Sequence, residues 1–213
     1  STPKKVNIFL SHYHWDHVVG MLNFSPLFDS SFTFNIYGAN KKTDINELQD
    51  KLLDTALWPV SKDMLNAKIN FINLKKDLIQ ITDNINIEHT NHPHPNGATS
   101  YKITIDDFSI LYTTDCEHTN NHLNKNVTNI AKDVDILIHD AHFSKKDLSK
   151  HIGWGHSSWK DAVDVAKTSN VKQLILYHFS PEYSDDVVSN IEVRAQKEFT
   201  NTIAAKQQMK IEF

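Results

Sequence analysis

Four metal-ligand side chains stand within six residues near the start of the chain, His12, His14, Asp16 and His17, in the pattern H-x-H-x-D-H. Imidazoles and carboxylates at this density are costly to pack without a function. The run therefore demands a fold that opens a polar site at this point. The preceding residues, Val6-Asn7-Ile8-Phe9-Leu10, read as a buried strand. In extended backbone, residues i and i+2 share a face, so His12 and His14 can grip one ion as a pair. Asp16 and His17 follow after the chain turns and can face a second ion. A rigid strand that ends in a loop of ligands is a sound way to build such a site.

Further ligand-type groups fall just past apolar strands or at turns. His92-Pro93-His94-Pro95-Asn96-Gly97 precedes the run at Tyr101. Asp115 follows the run 108–112, Asp140 ends 134–139 and His178 ends 172–177. His156 lies in Gly155-His156-Ser157-Ser158, just ahead of a helical pattern. Singly, a strand-end Asp is as readily a turn former. Together they suggest two ions: one held by His12, His14 and a third His, the other by Asp16, His17 and His178, with Asp115 bridging. A shared water or hydroxide between such ions is the nucleophile of two-metal hydrolases.

At 213 residues, 39% of them hydrophobic, the chain can bury one sizeable core, and a single domain over 1–213 is expected. The net charge of −4 gives no overall pull on nucleic acid. No apolar stretch is long enough to span a membrane. One cysteine, Cys116, excludes an internal disulfide and fits a reducing cytoplasm. Strands are predicted at 32–37, 68–73, 78–81, 85–90, 134–139, 172–178 and 209–213. A hairpin is expected over 101–112, turning at Asp106-Asp107. Helices are predicted over 44–57, with Asp44 and Glu47 as a capping box, over 158–169 behind Ser157/Ser158, and from Ser184 to about 206. Strands interleaved with helices indicate a layered α/β fold.

These residues, in this order, resemble the metallo-β-lactamase fold superfamily, and within it the phosphodiesterase and RNase Z-like branch. The segments that carry the resemblance are SHYHWDHVVG, WPV at 58–60, HPNGATSYKI at 94–103 and LYTTDCEH at 111–118. DILIHDAHF at 135–143, GWGHSSW at 153–159 and LILYHFSPEYSDD at 174–186 complete the series. The resemblance implies a four-layer αββα sandwich. It also implies seven metal ligands: His12, His14, Asp16, His17, His94, Asp115 and His178. His92 offers the same chemistry two residues from His94, but the spacing of His94 to Gly97 and Tyr101 fits the family segment. Two divalent ions are implied, zinc first, with manganese and iron open to the same donors.

By the same resemblance Asp16, Asp140 and His156 are catalytic, with Asp140 orienting His156 and His156 protonating the leaving alkoxide. A neighbouring carboxylate keeps an imidazolium available near neutral pH. Dedicated tRNA-processing relatives carry a basic arm, whereas residues 38–80 hold seven Lys against six Asp/Glu. A small phosphodiester such as a cyclic nucleotide is therefore the expected substrate. The alternatives are an RNase Z-like endonuclease, a lactonase or β-lactamase-type hydrolase, and a non-hydrolytic di-iron sensor. Only Ser1–Leu10 precede the first His motif, where similar domains carry a few strands. The expectation is an N-terminal sheet completed by another segment, or a homo-oligomer that covers its edge.

Overall fold

The computed structural model describes residues 4–39, 44–119 and 122–212. The chain divides into two compact units, Ser1–Lys76 and Asp77–Phe213. Each carries its own sheet and its own helices, so the α/β class expected from the sequence is the class found.

The first unit runs β1 (Lys4–Leu10), a one-turn helix α1 (Trp15–Val18), β2 (Phe32–Gly38), α2 (Ile45–Leu52) and β3 (Lys68–Asn73). Its three strands are parallel in the order β1-β2-β3. Side chains alternate across the sheet, so Val6, Ile8, Leu10, Phe34 and Ile36 share an apolar face. This face packs with Ile45, Leu48 and Leu52 of α2. The other face holds a polar row, because the register aligns Asn7 with Asn35 and Asn35 with Asn70. Asn35 Nδ2 donates to Asn7 Oδ1 (2.9 Å), and Asn70 Nδ2 donates to Asn35 Oδ1 (2.8 Å). A slip by one residue would break this ladder and turn the apolar set outward.

The helix predicted over 44–57 is shorter than expected. Asp44 caps it by accepting from the Asn46 N–H (2.7 Å), but it ends at Leu52. The Asp54 side chain then accepts from the Ala56 N–H (2.9 Å), and the Asp54 carbonyl accepts from Leu57 and Trp58. This local turn competes successfully with another helical turn and leaves Ala56 exposed.

The second unit begins with β4 (Leu78–Thr82), β5 (Ile85–His92), β6 (Ala98–Ile105) and β7 (Phe108–Thr113). These pair in antiparallel fashion, and Asp106 takes a left-handed conformation (φ 51°) at the predicted hairpin turn. Then follow α3 (Lys125–Ile130), β8 (Ile136–Asp140), α4 (Lys145–Leu148), α5 (Trp159–Thr168), β9 (Gln173–Tyr177), α6 (Asp185–Glu198) and β10 (Thr202–Ala204). The sheet order is β10-β9-β8-β7-β6-β5-β4, parallel from β7 to β10. Its core joins Leu111, Leu137, Leu174 and Leu176 of the strands to Ala162, Val163 and Ala166 of α5 and to Ile191 and Ala195 of α6. Ser158 caps α5 in a reciprocal box with Asp161.

The structure departs from the sequence pattern at two further places. The helix from Ser184 stops at Glu198, where Phe199 turns extended (φ −142°) so that Thr202–Ala204 can pair with Leu174–Leu176. Sheet pairing thus overrides a helical periodicity that continued past the real end. No strand is formed by residues 209–212, and residue 213 lies outside the described residues. Among the described residues no helix is long and apolar enough to cross a membrane.

Candidate metal centre

In the second unit, topology gathers the candidate side chains at one edge of the sheet. β5, β7, β8 and β9 point the same way, so their C-terminal ends coincide. Ligand sites in α/β sheets form outside such ends. The register sets Thr113 beside His139 and Asp140 beside Tyr177. Asp115, Asp140 and His178 therefore emerge together, though 25 and 38 residues apart in sequence. Asp115 and His178 both adopt left-handed backbone (φ 50° and 60°). Left-handed backbone at a non-glycine residue is a strained conformation that the surrounding structure must hold in place.

Asp115 is buried and faces two imidazoles with its two oxygens. Oδ2 lies 3.6 Å from His94 Nε2, and Oδ1 lies 3.6 Å from His178 Nε2. The other nitrogen of His94, Nδ1, donates to the Gly155 carbonyl (2.9 Å). A carbonyl only accepts, so Nδ1 carries the proton and Nε2 is the bare nitrogen in the neutral ring. This is the usual orientation of a metal-binding imidazole. Two donors on one tetrahedral ion lie about 3.3 Å apart for bonds of about 2.0–2.1 Å. The observed spacings thus fit co-ligands better than direct hydrogen bonds. Asp115, Asp140, His156 and His178 each offer a ligand atom within 4.8 Å of the others.

Asp140 is fully buried and is the hub of the site. Its Oδ2 accepts from His156 Nδ1 (3.0 Å) and the Asp115 N–H (3.1 Å). Its Oδ1 accepts from the Ser157 and His142 N–H groups, both at 3.0 Å. His178 Nδ1 lies 3.4 Å from Oδ2. Burial alone would raise the Asp140 pKa, but hydrogen bonds from His156 and His178 outweigh it and hold the carboxyl below the usual range. The predicted pairing of Asp140 with His156 is thus present, with Nδ1 toward the carboxylate and Nε2 on the far side of the ring. His94 approaches the same ring, at 5.6 Å between centroids. His92 ends β5 and is also buried, and burial together with neighbouring His139 pushes its imidazole down to about 4.

The first unit holds the opening motif. His12 is buried at the end of β1, and its ring lies 4.6 Å from that of His14 and 4.1 Å from that of His17. Asp16 and His17 sit on α1, directly after His14, with Asp16 Oδ2 3.2 Å from His17 Nε2. The strand-then-turn arrangement read from the sequence is present, and Asp16 is the exposed member of the set.

Sequence reasoning missed two residues. His142 stacks on His156 at 4.2 Å and donates through Nδ1 to the His178 carbonyl (2.8 Å). Glu117 accepts from the Gly153 N–H (2.7 Å) and the Gly155 N–H (2.8 Å) with separate oxygens. It thereby clamps the loop that carries His156 and supports His94. Gly155 is required there: its φ is +87°, and a Cβ would lie 2.1 Å from His94 Nδ1. An acid two residues after Asp115, within LYTTDCEH, was the one available sequence signal for Glu117.

A second buried cluster, Cys116, His118 and His139, also has ligand atoms within 4.8 Å of one another. Its hydrogen bonds argue against an ion. The Asn124 N–H donates to His118 Nδ1 (3.0 Å), and His139 Nδ1 donates to the Asp140 carbonyl (2.7 Å). The neutral His118 ring, held down to about 3 by burial and His139, must therefore donate through Nε2 to His139 Nε2 (3.4 Å). Both rings are consumed in a structural relay. Burial also pushes the Cys116 thiol up, away from reactivity.

The fold and these donor sets suit the binding of divalent metal ions, and comparison with known proteins supplies the family. The chain belongs to the β-lactamase superfamily: the family model described as "Beta-lactamase superfamily domain" matches residues 1–179. It is similar to ribonuclease Z of Archaeoglobus fulgidus, 43% identical over 103 residues, 48% of this chain and 32% of that protein. Against ribonuclease Z of Thermoplasma volcanium it is 26% identical over 97% of this chain and 79% of the relative. Among solved structures, the metallo-β-lactamase fold protein YhfI from Bacillus subtilis superposes with a TM-score of 0.67 at 21% identity. That likeness covers 94% of this chain and 74% of YhfI.

Proposed function

We propose that the chain is a two-metal phosphodiesterase whose substrates are RNA phosphodiesters. The observation that carries the metal reading is the Asp115 carboxylate, set between the Nε2 atoms of His94 and His178 at 3.6 Å from each. One carboxylate that offers one oxygen to each of two imidazoles has the chemistry of a bridge. His94, Asp115 and His178 are the proposed ligands of the second unit, and His12, His14, Asp16 and His17 those of the first. Zinc is our first choice of ion.

When bound, a pair of divalent ions supplies Lewis acidity and lowers the pKa of bound water. The chain's own residues supply the rest. Asp140 holds His156 by Nδ1 and so leaves Nε2 on the far side of the ring. His156 then gives the Nε2 proton to the departing alkoxide, which leaves poorly without one. Gly155, through its carbonyl, fixes the His94 tautomer.

The choice of RNA over the small phosphodiester expected from the sequence rests on the ribonuclease Z relatives. The cyclic-nucleotide reading keeps one supporting observation, the balanced charge of residues 38–80. A cytoplasmic location is proposed from the single, buried cysteine. The test is a substrate panel for the metal-loaded protein: a 3′-extended tRNA, a short oligoribonucleotide, 2′,3′- and 3′,5′-cyclic nucleotides, and a β-lactam. Cleavage of the RNA substrates and not the lactam is expected. Turnover confined to cyclic nucleotides would replace the substrate, and hydrolysis of the lactam alone would refute the phosphodiesterase reading.

A further inference from the structure

The loop that carries His156 also presents an aromatic ring to solvent. Trp154 is 59% exposed and Ile152 is 76% exposed, within one turn of chain. The indole is nevertheless fixed in place. Glu117 holds the glycines on both sides of it, and the Trp154 N–H donates to the His151 carbonyl (3.1 Å). Its ring packs edge-on against His151 at 4.6 Å, His151 stacks on Phe143 at 4.6 Å, and Phe143 meets His156 at 6.1 Å. A continuous run of rings thus leads from the exposed indole to the proposed acid. The segment that enters this loop carries Lys146 and Lys150, both exposed.

We propose that Trp154 is a stacking platform for an unpaired nucleobase next to the scissile linkage, with Lys146 and Lys150 facing the flanking phosphates. The proposal rests on the phosphodiesterase reading above. Proteins that bind single-stranded nucleic acid combine aromatic faces with positive charge along the backbone. A patch of two apolar side chains is too small for a stable protein partner, which needs on the order of 1,000 Å². One indole matches one base. Pre-fixing the ring removes an ordering cost on binding.

The test is equilibrium binding, by fluorescence anisotropy, of a short single-stranded oligoribonucleotide and of the same chain made abasic. Trp154→Ala should weaken binding of the base-bearing chain about tenfold and leave the abasic chain unchanged. Trp154→Phe should retain most of the affinity. Lys146→Gln and Lys150→Gln should each flatten the salt dependence by roughly 0.7 in the log–log slope. Equal binding of both chains by the wild-type protein, or unchanged binding by Trp154→Ala, overturns the proposal. Cleavage of the oligoribonucleotide with an unchanged KM in Trp154→Ala sinks the stacking site alone. A wild-type protein that cleaves no phosphodiester sinks the parent reading instead, and the binding comparison still decides the platform.

Discussion

His156 Nδ1 donates to Asp140 Oδ2, and this makes its role separable from that of its neighbours. If it protonates the leaving group, His156→Ala should lower kcat by about 10²–10⁴ on an RNA linkage. Cleavage of a p-nitrophenyl ester, whose leaving group needs no proton, should fall far less. Equal losses on both substrates would remove the acid role. Gly155→Ala tests the support of His94, since the new methyl would meet His94 Nδ1 in a backbone conformation that disfavours any side chain. The expected result is a lower melting temperature together with reduced metal content; a variant with full metal content would show that this contact does not orient His94. The ligand-type residues were legible in the sequence because His and Asp cluster in short motifs at strand ends. Glu117 and His142 were not, because their roles depend on partners 36 residues away that only the folded loop supplies.

The elements with strong local signals were readable, and those decided by distant pairing were not. Ser157/Ser158 announce α5, and the structure closes a full box between Ser158 and Asp161. Ser158→Ala should cost about 1 kcal/mol in denaturant unfolding; an unchanged midpoint would mean that the cap is redundant. Burial would raise the Asp161 pKa, but hydrogen bonds from Lys145 and Ser158 prevail and lower it. A depressed folded pKa contributes stability that is complete above the unfolded value of about 3.9 and is lost as pH falls through the folded one. The stability gap between wild type and Asp161→Asn should therefore shrink on acidification below about pH 4, and a constant gap would contradict this. The boundary at Glu198 was illegible for the opposite reason. Val188, Ile191, Ala195 and Phe199 keep helical spacing past it, and only the pairing of Thr202 with Leu174 ends the helix. The Asn7–Asn35–Asn70 ladder was equally hidden, since three isolated asparagines acquire meaning only from the register. Asn35→Ala should cost about 1–3 kcal/mol by removing the acceptor of Asn70 and a donor to Asn7, which keeps only the Tyr37 hydroxyl at 3.4 Å, and a loss under half of that would make the ladder incidental.

At the scale of the whole molecule, the proposed function is that of a chain that binds divalent metal and, once loaded, cuts phosphodiesters. Metal that binds only the folded chain must also stabilise it by mass action, so chelation should lower the melting temperature and stop turnover together. The most direct measurement is metal content per chain by mass spectrometry, paired with cleavage of an oligoribonucleotide, for wild type and Asp115→Ala. The expected result is two divalent ions per wild-type chain, cleavage abolished by chelator and restored by zinc or manganese, and loss of both metal and cleavage in Asp115→Ala. A wild-type chain that takes up no divalent metal, or an Asp115→Ala variant that keeps both ions and full activity, would contradict it.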